Sequence, residues 1–309
     1  MKAGDFELAC PICRGALDFS AAGEARCPKD GQQFQRIDNI WHFLPPERVQ
    51  HYEQFIRDYE TIRKAEGRFS DEPAYYRALP YQDLAGRQTS AWKVRSQSFD
   101  TLVGKVLAPL ETEKGSGLKI LDVGAGSGWL SNRLAQRGHQ VAAVDLLTND
   151  WDGLGASKHY EAKFVCLQAE YDRLPLKAGQ FDLVLFNASF HYSEGYSTTL
   201  AEALRVLAPG GRIVIIDSPL YHDESSGARM VAERRKQFVS QFGFPSDSLA
   251  SENFLTYARL RNLEAEFGLK WNLIEPATSQ GWKVKRFVNG LRSRREPAKL
   301  PIIIGTRTK

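Results

Sequence analysis

Apolar runs and helical stripes alternate through the middle of the chain. Residues 120–123 are a short apolar run that ends in glycines and small residues. Trp129, Leu130 and Leu134 then fall on one face of a predicted helix that Gly138 stops. A second apolar run, 141–144, ends at Asp145. Residues 164–167 predict a third strand, and 181–186 a fourth whose apolar character suits burial on both faces. Leu200, Ala203, Leu204 and Leu207 recur at helical spacing. Pro209-Gly210-Gly211 then turns the chain into a fifth strand at 212–217, and 271–274 and 301–304 predict two last strands. Strands alternating with helices imply an α/β fold with a doubly wound parallel sheet.

The flanks have a different texture. Pro45-Pro46 marks a linker, after which Tyr52, Phe55, Ile56, Tyr59 and Ile62 follow helical spacing until Gly67. A further helix is expected from about residue 90 to 107, carrying Trp92, Val94, Phe99, Leu102 and Val106. Tyr59, Arg63, Tyr75, Tyr76, Arg77 and Tyr81 are more polar than a core needs and suit the lining of an opening. Residues 218–255 are too long for a simple connection. They hold a charged helical run at 223–241 that Gly243 can end, and Thr256 suits the N-cap of one more helix closed by Gly268. The division expected is a module at 1–45, a helical segment at 46–115, and the α/β domain at 116–309. The stretch 218–255 is then a lid at the carboxyl edge of the sheet, where ligands of such folds bind; a surface insertion is the alternative.

The turn after the first strand carries the clearest chemistry. Gly124, Gly126 and Gly128 alternate with small residues. Glycines here allow positive φ and close approach of a ligand to the backbone. The following helix offers free N–H groups to an anionic group, and a carboxylate about 20 residues on can accept both hydroxyls of a ribose. A nucleoside with an anionic appendage fits this arrangement. The spacing is GxGxG, not the GxGxxG of dinucleotide sites, and no GK[ST] follows to cradle a triphosphate. The pattern resembles motif I of class I S-adenosylmethionine (SAM) dependent methyltransferases, in the branch of ubiquinone and menaquinone methyltransferases. The stretch from Gln168 to Leu176 is similar to that family's "GDAEDLPF", and Asn187 to Tyr192 falls in its motif IV region. The resemblance implies a Rossmann-like, seven-stranded sheet. It places Asp122 near the methionine amine, Asp145 on the ribose and Glu170 at the adenine amino group. Gly124, Ala125, Gly126, Gly128, Leu146, Tyr171 and Asn187 complete the expected cofactor shell.

The N-terminus reads Cys10-Pro11-Ile12-Cys13 and then Cys27-Pro28-Lys29-Asp30-Gly31. Two such knuckles form a zinc-ribbon layout, and zinc accepts a carboxylate oxygen. Cys10, Cys13, Cys27 and Asp30 are the expected ligands, with His42 the alternative to Asp30. The module is similar to the ribbon ahead of certain rRNA guanine methyltransferases. Cys166 lies mid-strand and reads as core packing.

Net charge is only +4, which neither demands nor excludes a nucleic-acid partner. Lys283, Lys285, Arg286, Arg292, Arg294, Arg295 and Lys299 form a basic cluster that reads as a solvated face. No apolar run suits a membrane span, and no signal segment is visible at the N-terminus. A cytoplasmic location is expected. His191 is the first candidate base and Tyr192 the second. Asn187-Ala188-Ser189-Phe190 departs from the NPPY-type motif that serves amide or adenine amino acceptors. The expectation is SAM-dependent methyl transfer to a small-molecule or biosynthetic-intermediate acceptor, with rRNA base methylation and a non-catalytic SAM-binding module as alternatives.

Overall fold

The computed structural model describes residues 2–3, 6–276 and 295–308. One sheet contains eleven strands. They are β1 (Asp18–Phe19), β2 (Glu24–Arg26), β3 (Gln33–Ile37), β4 (Ile40–His42), β5 (Lys119–Val123) and β6 (Gln140–Asp145). The rest are β7 (Val165–Gln168), β8 (Phe181–Asn187), β9 (Leu207–Ile216), β10 (Leu269–Ile274) and β11 (Ile302–Arg307). Their spatial order is β10-β11-β9-β8-β5-β6-β7-β4-β3-β2-β1. Strands β5 to β9 pair parallel, and β11 runs antiparallel to both β9 and β10.

Seven of these strands, β5 to β11, lie in the expected α/β domain; the correction is to the separate N-terminal module, whose four strands continue the same sheet. Strand β4 adds in parallel to β7, matching Ile40 with Cys166 and His42 with Gln168. The edge of β7 would otherwise present unpaired N–H and C=O groups. The N-terminal hairpins satisfy it and extend the sheet. Strand β9 also starts earlier than its turn residues suggest, since Leu207 already pairs with Phe181 and a register shift follows.

Alternation along the central strands fills a core on each face. Leu121 and Val123 of β5 join Leu200, Ala203 and Leu263 on one side. Ile120 joins Trp129, Leu130 and Leu134 on the other. The helices are α1 (Pro46–Ala65), α2 (Pro73–Ala78), α3 (Thr89–Leu102), α4 (Ala108–Lys114), α5 (Trp129–Gln136), α6 (Tyr196–Val206), α7 (Glu224–Phe242) and α8 (Tyr257–Phe267). A π-helical turn, Val103–Leu107, joins α3 to α4. Local sequence explains several ends. Pro occupies the first turn of α1. Asp223 caps α7 by accepting from the Ser225 N–H, and Thr256 caps α8 by accepting from Arg259. Gly243 and Gly268 close these helices in the left-handed conformation. Trp129 meets Trp92 and Phe99 edge-on, each at 5.9 Å, so α3 is fastened against the helix that follows the glycine turn. No helix among the described residues is long and apolar enough to cross a membrane.

Candidate functional site

The glycine turn leaves β5 and lies against the end of β6. The N–H groups of Gly124 and Ala125 both donate to the Val144 carbonyl, at 2.8 and 3.0 Å. Gly124 has φ 75°, and a Cβ there would stand 2.3 Å from Ser189 Cβ and 2.7 Å from the Tyr171 hydroxyl. Only glycine fits both the backbone and the space. The Ser189 hydroxyl donates to the Val123 carbonyl at 2.5 Å and locks the end of β8 onto the turn.

Asp145 stands at the tip of β6, where the sequence places it. Gly126 N–H donates to its Oδ2 at 2.7 Å and Leu147 N–H to its Oδ1 at 2.8 Å. Burial lifts its carboxyl to about 6, against those two N–H donors. Each oxygen keeps a lone pair for a further donor. Asp122 is placed differently from the expectation. It is wholly buried, accepts from the Ser131 hydroxyl at 2.7 Å, and is pushed up by burial to about 7. It supports the turn from beneath, outside the cavity lining.

Above the turn lies a cavity open to solvent on one side. Gly124, Ala125, Gly126, Asp145, Leu146 and Asn187 form its floor and Tyr171 one wall. Gly128 lies past the lining, where its φ of 74° starts α5. The roof comes from helices that precede the sheet: Tyr59 and Arg63 of α1, Tyr75 and Tyr76 of α2, and Trp92 and Arg95 of α3. The aromatic stripe therefore lines an opening, and part of it also fills the core. Arg63 forks onto Asp152, with Nη2 to Oδ1 at 2.8 Å, and so ties α1 to the loop after β6. Arg95 lies over the Trp92 ring at 4.9 Å and has no acidic hydrogen-bond partner among the described residues. Arg48 and Arg95 were not singled out by sequence, because no motif marks a lone arginine on a helix.

Two expected site residues sit apart from this cavity. Glu170 is 3% exposed and is gripped by Arg48, whose Nη2 lies 2.6 Å from Oε2, and by the Tyr52 hydroxyl at 2.9 Å. Its oxygens are engaged by α1, and it lines a smaller adjoining space that shares Phe55, Leu146, Tyr171 and Tyr192 with the cavity. His191 is buried, with Nδ1 3.1 Å from Ser218 Oγ. Burial, helped by the charges of Arg234 and Arg95, pushes its imidazole down to about 3. It stands behind Tyr192, with ring centroids 4.4 Å apart, and only Tyr192 reaches the cavity.

The N-terminal knuckles converge. The ligand atoms of Cys10, Cys13, Cys27 and Asp30 all lie within 4.8 Å of one another. The two knuckles share one geometry: Arg14 N–H donates to the Cys10 carbonyl at 2.8 Å, Gly31 N–H to the Cys27 carbonyl at 2.9 Å, and both donor residues have positive φ. Three sulfurs and a carboxylate oxygen at this spacing fit a tetrahedral zinc. His42 is not part of the group. Its Nδ1 lies 2.7 Å from Gln168 Oε1, which corrects the alternative that made it the fourth ligand. Cys166 is buried in the sheet as expected. Of the basic cluster, Lys283, Lys285, Arg286, Arg292 and Arg294 lie outside the described residues. Arg295 pairs with Glu233 at 2.9 Å and Lys299 lies over the Tyr257 ring.

Comparison with known proteins meets this geometry at the same residues. A family described as "Methyltransferase domain" matches residues 121–215. This stretch runs from β5 through the glycine turn to β9. Malonyl-[acyl-carrier protein] O-methyltransferase from Buchnera aphidicola subsp. Baizongia pistaciae is 33% identical over 97 residues, which cover 31% of this chain and 38% of that protein. Ubiquinone biosynthesis O-methyltransferase from Psychrobacter cryohalolentis is 33% identical over 106 residues, 32% of this chain and 40% of that protein. The chain thus matches about two fifths of the length of these relatives. A Haloferax volcanii methyltransferase, solved in complex with its methyltransferase activator, superposes with a TM-score of 0.51 at 16% identity. That match covers 77% of this chain and 97% of the other, and it extends the methyltransferase-domain fold well beyond the matched segment.

Proposed function

We propose that this chain transfers a methyl group from S-adenosylmethionine to a small-molecule acceptor. The observation that carries the reading is the cavity itself. A glycine turn of restricted shape and a carboxylate held by two backbone N–H groups share one floor, under an aromatic roof built by the preceding helices. Asp145 would hold the ribose hydroxyls. Gly124 and Gly126 let the backbone approach the ligand, and Leu146 and Tyr171 flank it. Arg95, which lines the cavity with no acidic hydrogen-bond partner among the described residues and feels Asp217 through its charge, would meet the anionic end of the ligand. S-adenosylmethionine supplies a methyl group already activated by its sulfonium.

The protein's part is to orient the acceptor and keep water out. Phe55, Tyr59 and Tyr192 form an aromatic group at the mouth, with centroid separations of 5.6 to 6.3 Å. Tyr192 is the side chain placed to contact an acceptor there, and the buried neutral His191 backs it as a positioning residue. The fit of Cys10, Cys13, Cys27 and Asp30 supports a structural zinc, which would brace the hairpins that cover β7.

Labelled-methyl SAM, purified protein and a cell-extract metabolite fraction test this reading beside unmodified rRNA. Label is expected in small molecules. Robust, site-specific incorporation into rRNA that falls steeply with salt would overturn the small-acceptor reading. A protein that binds S-adenosylhomocysteine but transfers label to neither would favour a non-catalytic module.

A further inference from the structure

A second chamber adjoins the proposed cofactor cavity. The two spaces share Phe55, Tyr59, Arg63, Arg68 and Tyr192. The far side of the second chamber comes from residues 218–255, which contribute Arg234 and Phe238 of α7 together with Leu249 and Asn253 of the loop that follows. The insertion therefore walls a space adjoining the proposed methyl donor.

The charges around this chamber do not cancel. Arg63 is answered by Asp152 and Arg68 by Glu66, the latter at 2.5 Å. Asp247 is answered by Arg235 at 3.2 Å. Arg234 has no such answer among the described residues. Its Nη2 donates to Asn253 Oδ1 at 2.6 Å, a strong bond to a neutral group. Asn253 is fixed for that purpose. Its amide nitrogen donates to the Ser251 carbonyl and hydroxyl, at 2.8 and 3.0 Å, which turns the amide oxygen toward the guanidinium. Its backbone N–H donates to the His191 carbonyl at 3.1 Å. The loop thus orients an arginine without neutralising it. A guanidinium held in this way, beside a half-buried space, favours an anion that completes the charge. The aromatic part of the lining is Phe55, Tyr59, Tyr192 and Phe238, beside polar groups such as Ser246 and Ser251.

We propose that this chamber receives the methyl acceptor and that the acceptor is a small aromatic anion, its charged group on Arg234 and its ring among Phe55, Tyr59, Tyr192 and Phe238. The proposal rests on the methyl-transfer reading and adds the class of substrate to it.

Two fluorescent probes of similar shape test it on the full chain. Anilinonaphthalene sulfonate is an aromatic anion, and phenylnaphthylamine is its uncharged counterpart. With protein saturated by S-adenosylhomocysteine, the sulfonate is expected to bind still. Arg234→Gln should weaken it by about tenfold or more while leaving phenylnaphthylamine and S-adenosylhomocysteine affinities unchanged. Arg234→Lys should recover part of the loss. Displacement of the sulfonate by S-adenosylhomocysteine would overturn the proposal, as would equal responses of the two probes to Arg234→Gln, or none. These results leave the methyl-transfer reading standing. Failure of the wild-type chain to bind S-adenosylhomocysteine would instead overturn that reading and the acceptor role with it.

Discussion

Asp145 is the residue on which ligand binding should turn, and its titration gives that claim a pH signature. Its carboxyl sits at about 6, raised by burial above the usual carboxylate value. Ribose hydroxyls need the ionised form as acceptor. Affinity for S-adenosylhomocysteine should therefore rise with pH up to about 6, close to tenfold per unit, and level off above about 7. Calorimetric titrations across that range check it, and Asp145→Asn should flatten the profile. The sign for stability is opposite. A raised acid pKa means that the unfolded chain loses its proton first, so the contribution of Asp145 to stability should fall as pH rises from about 4 to about 7. His191 leaves the affinity profile untouched there, since burial holds it neutral down to about 3, but it acts on stability in the other direction: the unfolded imidazole takes up a proton below its ordinary value and the folded one does not, so its contribution falls as pH drops below about 6.5. The turn glycines and Asp145 were legible in the sequence because spacing alone carries their chemistry. Glu170 and His191 were placed in the cavity by analogy of position. Their partners are long-range and carry no local signal: Arg48, distant in sequence, grips Glu170, and Ser218 lies against His191. Asp122 was likewise read as a ligand contact, yet its strand position points it toward Ser131.

At the scale of elements, helices with chemical ends were the most readable. Asp223, Gly243, Thr256 and Gly268 bound α7 and α8 as their side chains and backbone freedom predict. The attachment of the ribbon was not readable. Strand β4 is three residues long, and its partner is set by the exposed edge of β7. This pairing joins the proposed zinc module to the floor of the cavity. Phe43 N–H donates to the Gln168 carbonyl at 2.9 Å, and the Gln168 amide donates to the Leu146 carbonyl at 3.0 Å. Purified protein should hold about one equivalent of zinc. Cys13→Ser should release it, and hydrogen exchange should speed up in β4 and in β7 while β5 and β8 stay protected. Elemental analysis showing no metal in the wild type would oppose the zinc assignment. The α7 segment offers a second check. Its inner face lines the second chamber, so exchange across 224–255 should slow when S-adenosylhomocysteine and an acceptor are both bound. Unchanged exchange there would make the segment a surface insertion.

Among the described residues, one eleven-stranded sheet runs from the N-terminal hairpins through the stretch that matches a methyltransferase domain, and its first four strands extend the β7 edge. Fold class was legible from strand-helix alternation, since each run of 4–10 apolar or glycine-bounded residues had one plausible role in such a sheet. The acceptor was not legible, because it depends on helices that come together from before and after the domain. The methyl-transfer reading and the acceptor chamber both rest on one claim, that the cavity over Gly124 and Asp145 binds the SAM nucleoside. Calorimetric titration of the full chain with S-adenosylhomocysteine tests it directly, run beside NAD and beside Asp145→Ala. The account predicts a single site for S-adenosylhomocysteine, weakened in the variant by about 2–3 kcal/mol, with no comparable heat from NAD. Tight binding of NAD, or an affinity for S-adenosylhomocysteine that Asp145→Ala leaves unchanged, would contradict it.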